Sequence, residues 1–218
     1  MNEHVRASGE TAPKVATSAL DARMMARCIA LAKASGALGE YPYGAVVCRN
    51  GEIIAESTNR VVQDGDVTRH AEVVAIVAAQ KALNSVSLDD CTIYCSTEPC
   101  VFCSYAIRES RIGRVVYGLH SPYMGGVSRW AVLTDEVLSS VMPEVFAPPP
   151  SILGGFMAED MKKAMREWSR VGTFVLERRG LFDATEGPTP EKGARRNGAR
   201  AGLMRILRRS FFDRFGRR

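Results

Sequence analysis

Two short stretches carry residues whose types and spacing can do chemistry. In TRHAEVVAI, residues 68–76, His70 and Glu72 stand one residue apart at the start of a run of small apolar side chains. In TEPCVFC, residues 97–103, Cys100 and Cys103 follow Pro99 with two residues between them. Cysteines three apart on a helix reach toward one point. One imidazole and two thiolates form a nitrogen and sulfur donor set suited to zinc, and three protein ligands in place of four leave a position for water, the pattern of a catalytic centre. A glutamate two residues beyond the histidine falls on another side of its helix. One of the two can therefore ligate a metal while the other leans over the open position.

These residues need elements to hold them. Leu20 to Ala34 has apolar side chains at helical spacing, with Gly36 as the expected stop. YGAVVCRNGEIIAES places two apolar runs on either side of Asn50-Gly51, the signal for a two-residue hairpin. Arg69 to Leu83 reads as a helix, apolar nearly all round and so expected to be buried. Cys91 to Ser96 reads as a short buried strand, Cys100 to Ser110 as a helix with Pro99 in its first turn, and Arg114 to Gly118 as another strand. An irregular segment, LHSPYMGGVSRW, follows, with Gly125-Gly126 expected to lend it mobility; after a proline-rich break at 148–150, Phe156 to Val171 reads as an amphipathic closing helix. The order of helix, hairpin, helix, strand, helix, strand predicts an α/β protein, a mixed central sheet with helices on both faces in three α/β/α layers.

Length and charge narrow the class. The chain has 218 residues, 46% apolar and 24% charged, as expected of one globular domain with tails. Its +5 charge is uneven: residues 180–218 hold ten Lys/Arg against four Asp/Glu, a net +6, which leaves the rest at −1. The expected division is a polar arm at 1–18, a domain at 19–178, and a basic, disordered tail at 180–218 with an amphipathic helix at 203–215. No apolar run is long enough to span a bilayer, and the N-terminal residues lack an apolar signal segment. The six cysteines are then expected to be reduced, and the location cytoplasmic. Cys28, Cys48, Cys91 and Cys95 lie in apolar contexts and read as small core residues.

Neither half of the motif is specific alone. Together, His-x-Glu followed by Pro-Cys-x-x-Cys forms the signature of zinc-dependent nucleobase deaminases. The sequence resembles the cytidine and deoxycytidylate deaminase superfamily. Within it, the stretches YPYGAVVCRNGEIIAESTNR, TRHAEVVAI, TIYCSTEPCVFCSYAI and SRIGRVVYG resemble the guanine deaminase and tRNA adenosine deaminase branch, over roughly residues 20–120. The resemblance implies a cytidine-deaminase-like fold with one catalytic zinc per subunit held by His70, Cys100 and Cys103, and Glu72 as proton shuttle. It also implies substrate contacts from Asn59, the backbone near Ala71, and the turn carrying Glu98 and Pro99. His120 and Tyr123 are further candidates at the mouth of the site. Arg69, beside the histidine, is expected to be solvated. The implied substrate is a nucleobase or nucleoside of purine type, with tRNA as the alternative, and the implied assembly is a homodimer. A non-catalytic, zinc-stabilised binding module is a third reading, opposed by Glu72 and by the lack of a fourth ligand.

Overall fold

The computed structural model describes residues 17–178, 180 and 182. Most of the expected polar arm, and nearly all of the expected tail with the helix expected at 203–215, lie outside the described residues. The chain opens on a capping box: the Ser18 hydroxyl accepts from the Asp21 N–H, and the Asp21 carboxylate accepts from the Ser18 N–H. This starts α1 (Ala19–Ala37). The helix runs through Gly36, which is a contact point and not a stop. A Cβ on Gly36 would lie 2.5 Å from Cδ1 of Trp168.

Strands β1 (Gly44–Arg49) and β2 (Glu52–Thr58) form the expected hairpin. Asn50 and Gly51 turn it with φ of 51° and 83°, the positive pair that a type I′ turn requires. A single turn, α2 (Val61–Asp64), leads to α3 (Ala71–Leu83). Then come β3 (Cys91–Thr97), α4 (Val101–Glu109) and β4 (Arg114–Leu119). Past the irregular segment lie α5 (Glu136–Val141) and β5 (Ser151–Leu153). The expected single closing helix is two, α6 (Ala158–Trp168) and α7 (Arg170–Arg178), parted where Ser169 turns extended with φ −157°.

The sheet is mixed, in the order β2-β1-β3-β4-β5. β1 pairs antiparallel with β2 and β3, and β3, β4 and β5 run parallel. Alternation along the strands divides the core. Val46, Cys48, Tyr94 and Val116 face α1 and α6, packing on Met24, Met25, Cys28, Met161 and Met165. Ala45, Val47, Ile93, Cys95 and Val115 face the other way, onto Ala71, Ala75, Ile76 and Ile107 of α3 and α4. These are the three layers expected. Cys28, Cys48, Cys91 and Cys95 are all buried. The expectation that α3 is buried all round is corrected: Ala71, Ala75, Ile76 and Ala79 are buried, while Val77 on the outer side is 38% exposed.

One buried ion pair ties the far layer together. Asp21, 1% exposed, accepts from Arg114 Nη1 at 2.6 Å, Arg114 Nη2 at 3.1 Å and the Tyr94 hydroxyl at 2.8 Å. The Arg114 guanidinium holds the Asp21 carboxyl far below the usual carboxylate range, against the opposing effect of burial. A depressed folded-state value stabilises the fold above the unfolded-state pKa near 4, and that contribution is lost as pH falls below it. The melting temperature is therefore expected to fall between pH 6 and pH 3. Asp21→Asn should start lower at pH 6 and show a shallower fall. An equal fall in both proteins would sink the assignment.

Candidate active site

The sheet places the chemistry at one end. β3 delivers its C-terminal residues straight into the turn before α4, and the path from β2 through α2 ends on α3. His70 is the N-cap of α3 and Cys100 the N-cap of α4, both in extended conformation with φ −63° and −65°. Pro99 is corrected by one position: it precedes the cap and lies outside the first turn. Its carbonyl accepts from the Gly126 N–H at 2.9 Å and the Ser104 hydroxyl at 3.2 Å. Two helix N-termini thus converge, and their positive ends favour thiolate on the sulfurs.

The three donors meet. Cys100 Sγ and Cys103 Sγ are 3.5 Å apart, and His70 Nδ1 lies 3.6 Å from the first and 3.4 Å from the second. A tetrahedral centre with bonds of about 2.3 Å to sulfur and 2.0–2.1 Å to nitrogen has edges of roughly 3.5–3.8 Å. The donor set therefore fits a zinc ion without rearrangement, and no fourth His, Cys or carboxylate joins the cluster among the described residues. The Cys100–Cys103 sulfur contact, with the bond to His70, brings the Cys100 thiol down to about 4 against the opposing effect of burial. Cys103 is pushed up in turn, first by Cys100 and then by burial. The His70 imidazole is raised, chiefly by its bond to Cys100. Phe102 meets His70 edge-on, with ring centroids 5.7 Å apart.

Glu72 enters from the first turn of α3 and adjoins this cluster. Burial, followed by the nearby Cys100 thiolate, pushes its carboxyl up to about 7, against the opposing pull of its own N–H, His70 and Cys103. A carboxyl poised near neutral pH is matched to carrying protons in both directions. Tyr43, just before β1, is pushed up to about 12, mainly by burial and by Tyr41, with Glu72 and Cys100 adding to it.

Asn59 directly follows β2 and is 3% exposed. Its backbone N–H donates to Tyr43 O at 3.0 Å, and the next residue, Arg60, donates to Arg69 O at 3.0 Å, beside His70. Its carboxamide nitrogen donates to Glu40 Oε2 at 2.8 Å. Arg69 is held more firmly than expected: its Nε donates to Asp64 at 2.9 Å, and Arg60 holds the same carboxylate from the other side. Ala71, the first residue of α3, is fully buried.

Glu98 is buried beneath the irregular segment. Its carboxylate accepts from the N–H groups of Ser121, Val127 and Ser128 at 2.8, 2.9 and 2.7 Å and from the Ser128 hydroxyl at 2.5 Å. The two glycines there serve close approach: a Cβ on Gly125 would lie 2.0 Å from Glu98 Oε1, and one on Gly126 would lie 1.9 Å from Ser104 Oγ. His120 stands edge-on to Tyr117, with its Nδ1 3.3 Å from the Tyr117 hydroxyl and 4.0 Å from Glu98. Tyr123 and Trp130 are 52% and 53% exposed, and Arg129 lies over the Trp130 ring. Glu98→Gln should leave at least one of these donors without its acceptor. A loss of about 2–4 kcal/mol, or roughly 5–15 °C in melting temperature, is expected. An unchanged melting temperature would show that the segment does not depend on this carboxylate.

Tyr43 had no signal in the sequence beyond lying in a stretch of resemblance, and Glu40 lies just before that stretch. Glu40 is 1% exposed, and a buried carboxylate beside a candidate substrate ligand becomes visible only in three dimensions.

The fold and cluster together define a class: three-layer α/β/α proteins with a three-donor, zinc-type site spanning two helix N-termini. The family model described as the cytidine and deoxycytidylate deaminase zinc-binding region matches residues 18–119. A tRNA-specific adenosine deaminase of Haemophilus influenzae is 31% identical over 164 residues, which cover 74% of this chain and 87% of that protein. A tRNA(Ile)-lysidine synthase of Deinococcus radiodurans is 33% identical over 174 residues, 79% of this chain but 28% of that longer protein. A structure solved in work on A-to-I editing by tRNA:A34 deaminases at the wobble position of transfer RNA superposes with a TM-score of 0.56 at 31% identity, covering 66% of this chain and 99% of that one. The chain belongs to the cytidine and deoxycytidylate deaminase family. Among the described residues no helix is long and apolar enough to cross a membrane.

Proposed function

We propose that this chain is a zinc-dependent hydrolytic deaminase that removes an exocyclic amine as ammonia from a nucleobase or nucleoside of purine type. One observation carries the reading: three nitrogen and sulfur donors at tetrahedral spacing, with a carboxyl beside them that does not ligate. His70, Cys100 and Cys103 hold one zinc per subunit. Zinc bound by three protein ligands lowers the pKa of a coordinated water to about 7.

The remaining chemistry belongs to the chain. Glu72 takes a proton from the attacking water and delivers it to the ring nitrogen next to the amine-bearing carbon, which makes that carbon electrophilic. The hydroxide left behind adds to that carbon; Glu72 takes the proton of the added hydroxyl and delivers it to the amine, and the carbon–nitrogen bond breaks as the carbonyl forms and ammonia leaves. Asn59 and the backbone at Ala71 hold the base. Pro99 and Glu98 shape the turn and the segment above it, and His120 and Tyr123 lie on that segment.

The near-neutral body suits a small uncharged substrate. A second reading, deamination of adenosine within tRNA, is favoured by the Haemophilus influenzae relative, whose length this chain nearly spans. In that case the basic residues of 180–218 contact phosphates. Ammonia release by zinc-loaded protein decides between the two. The panel is guanine, adenine, cytosine, their nucleosides, and a tRNA with adenosine at the wobble position. Turnover of a free base or nucleoside supports the first reading. Inosine formed only in tRNA replaces it with the second. Silence across the panel with zinc bound sinks both.

The reading includes a homodimer in the cytoplasm. Cys28, Cys48, Cys91 and Cys95 as unpaired core thiols, and Cys100 and Cys103 as metal donors, fit a reducing compartment. Val101, Phe102 and Tyr105 on the outer face of α4 are 43%, 44% and 43% exposed, directly beside the ligand cysteines. A contiguous apolar face on the helix that carries the site suits a second copy of the chain. Val101→Glu is expected to lower the mass in sedimentation from dimer to monomer. A monomeric wild-type protein would overturn this part of the reading.

A further inference from the structure

We propose that Glu40 is a positioning residue of the substrate site, which fixes the Asn59 carboxamide so that its oxygen, and not its nitrogen, is turned toward the substrate. The proposal rests on the reading of Asn59 as a base contact. Glu40 lies on the stretch between α1 and β1, yet its side chain is among the most buried charged groups of the chain at 1% exposure. Both its oxygens are committed. Oε1 accepts from the N–H groups of Val62 and Gln63 at 2.8 Å each, and Oε2 accepts from Asn59 Nδ2 at 2.8 Å.

The physical argument is one of polarity. A carboxylate has only acceptors, whereas an amide side chain has a donor end and an acceptor end of nearly equal shape. With two backbone N–H groups on Oε1 and an amide on Oε2, only the nitrogen of Asn59 can face Glu40. The oxygen must then face away. Glu40 thus removes the freedom that an asparagine otherwise has to turn over and exchange its donor for its acceptor. It also ties that choice to α2, which stands between Asn59 and the strand of backbone leading to His70. The cluster His70, Glu72, Cys100, Cys103 supplies the reaction, and the clamp decides which edge of a heterocycle is read.

Glu40→Gln tests this with almost no change in shape. The oxygen of the introduced amide keeps the two backbone N–H groups, and its nitrogen must face Asn59. Asn59 then turns over to offer its oxygen to that nitrogen, and presents a donor where the wild-type protein presents an acceptor. For the compound turned over in the ammonia panel, KM is expected to rise about 10- to 100-fold through this mismatch, with a much smaller change in kcat. Zinc content should stay at one per chain. In an Asn59→Ala background the same substitution should raise KM no further, since the group it orients is gone. Asn59→Asp sets two carboxylates together and should bind poorly. The Glu40→Gln/Asn59→Asp pair restores a donor facing an acceptor and an oxygen facing the substrate, so it should recover KM to within roughly tenfold of wild type if the two positions are coupled.

A readout without substrate separates this clamp from the reading beneath it. The side-chain amide proton signals of Asn59, identified by their loss in Asn59→Asp, should shift in Glu40→Gln. A shifted signal with no turnover anywhere in the panel would sink the proposed reaction and leave the clamp standing. An unmoved signal would overturn the clamp, as would an equal rise of KM in the wild-type and Asn59→Ala backgrounds, or the failure of the paired variant to recover.

Discussion

Glu72→Gln protein is expected to bind one zinc per chain and to turn over roughly 10²- to 10⁴-fold more slowly than wild type, the range typical for loss of a positioned proton carrier. The substitution keeps the shape of the side chain and removes its ability to take and return a proton. Zinc should be retained because the three donors already meet at 3.4–3.6 Å without the carboxyl. The fold should survive as well, because the amide keeps the size and shape of the carboxyl. Burial pushes the Glu72 carboxyl up to about 7, which means that its charged form is disfavoured where it sits. Parallel measurement of kcat, zinc by mass spectrometry and melting temperature checks all three statements. A variant that keeps a tenth of the wild-type rate would remove Glu72 from the role of shuttle.

Much of this site was legible in the sequence because its signals are local. A histidine and a glutamate one residue apart, and two cysteines three apart, fix their own relative positions once they sit on helix starts. The hairpin was equally plain, since Asn50-Gly51 is nearly sufficient for its turn. What the sequence hid is what depends on distant partners. Gly36 reads as a stop from its neighbours, and only Trp168 shows why a missing Cβ is needed inside the helix. The three residues of β5 follow a run of prolines and carry no pattern of their own; they are a strand because β4 offers a free edge. Gly125-Gly126 reads as mobility and serves instead as clearance over Glu98 and Ser104. Glu98 reads as part of a substrate turn, and its buried carboxylate also anchors a segment some thirty residues onward. Glu40 is the clearest case. Nothing in its neighbours marks it, and its three acceptor contacts come from residues 59, 62 and 63, beyond the whole hairpin.

Loss of a metal donor should have the second large effect, and of a different kind from loss of Glu72. Cys103→Ala removes a fully buried sulfur from between α3 and α4, and a two-donor remnant cannot close a tetrahedral site. Zinc content is expected to fall from one per chain to near zero, and activity with it. Stability should fall too, since a ligand that binds only the folded state stabilises it by about 4 kcal/mol at a thousand times its dissociation constant. For a chain of this size that corresponds to a rise of roughly 8–16 °C in melting temperature on metal binding. Chelation of the wild-type protein should reproduce the loss of activity and the lower melting temperature, and added zinc should restore both. The same addition should restore neither in Cys103→Ala. The metal-free protein must be kept reduced, because the Cys100 and Cys103 sulfurs at 3.5 Å are close enough to be drawn into a bond of about 2.05 Å once no ion holds them apart. The contrast between the two variants is the decisive comparison. Glu72→Gln should lose the rate and keep the metal and its stabilisation, while Cys103→Ala should lose all three. Full activity in chelated protein, or zinc retained at one per chain in Cys103→Ala, would mean that the cluster at the two helix N-termini is not the centre of the reaction.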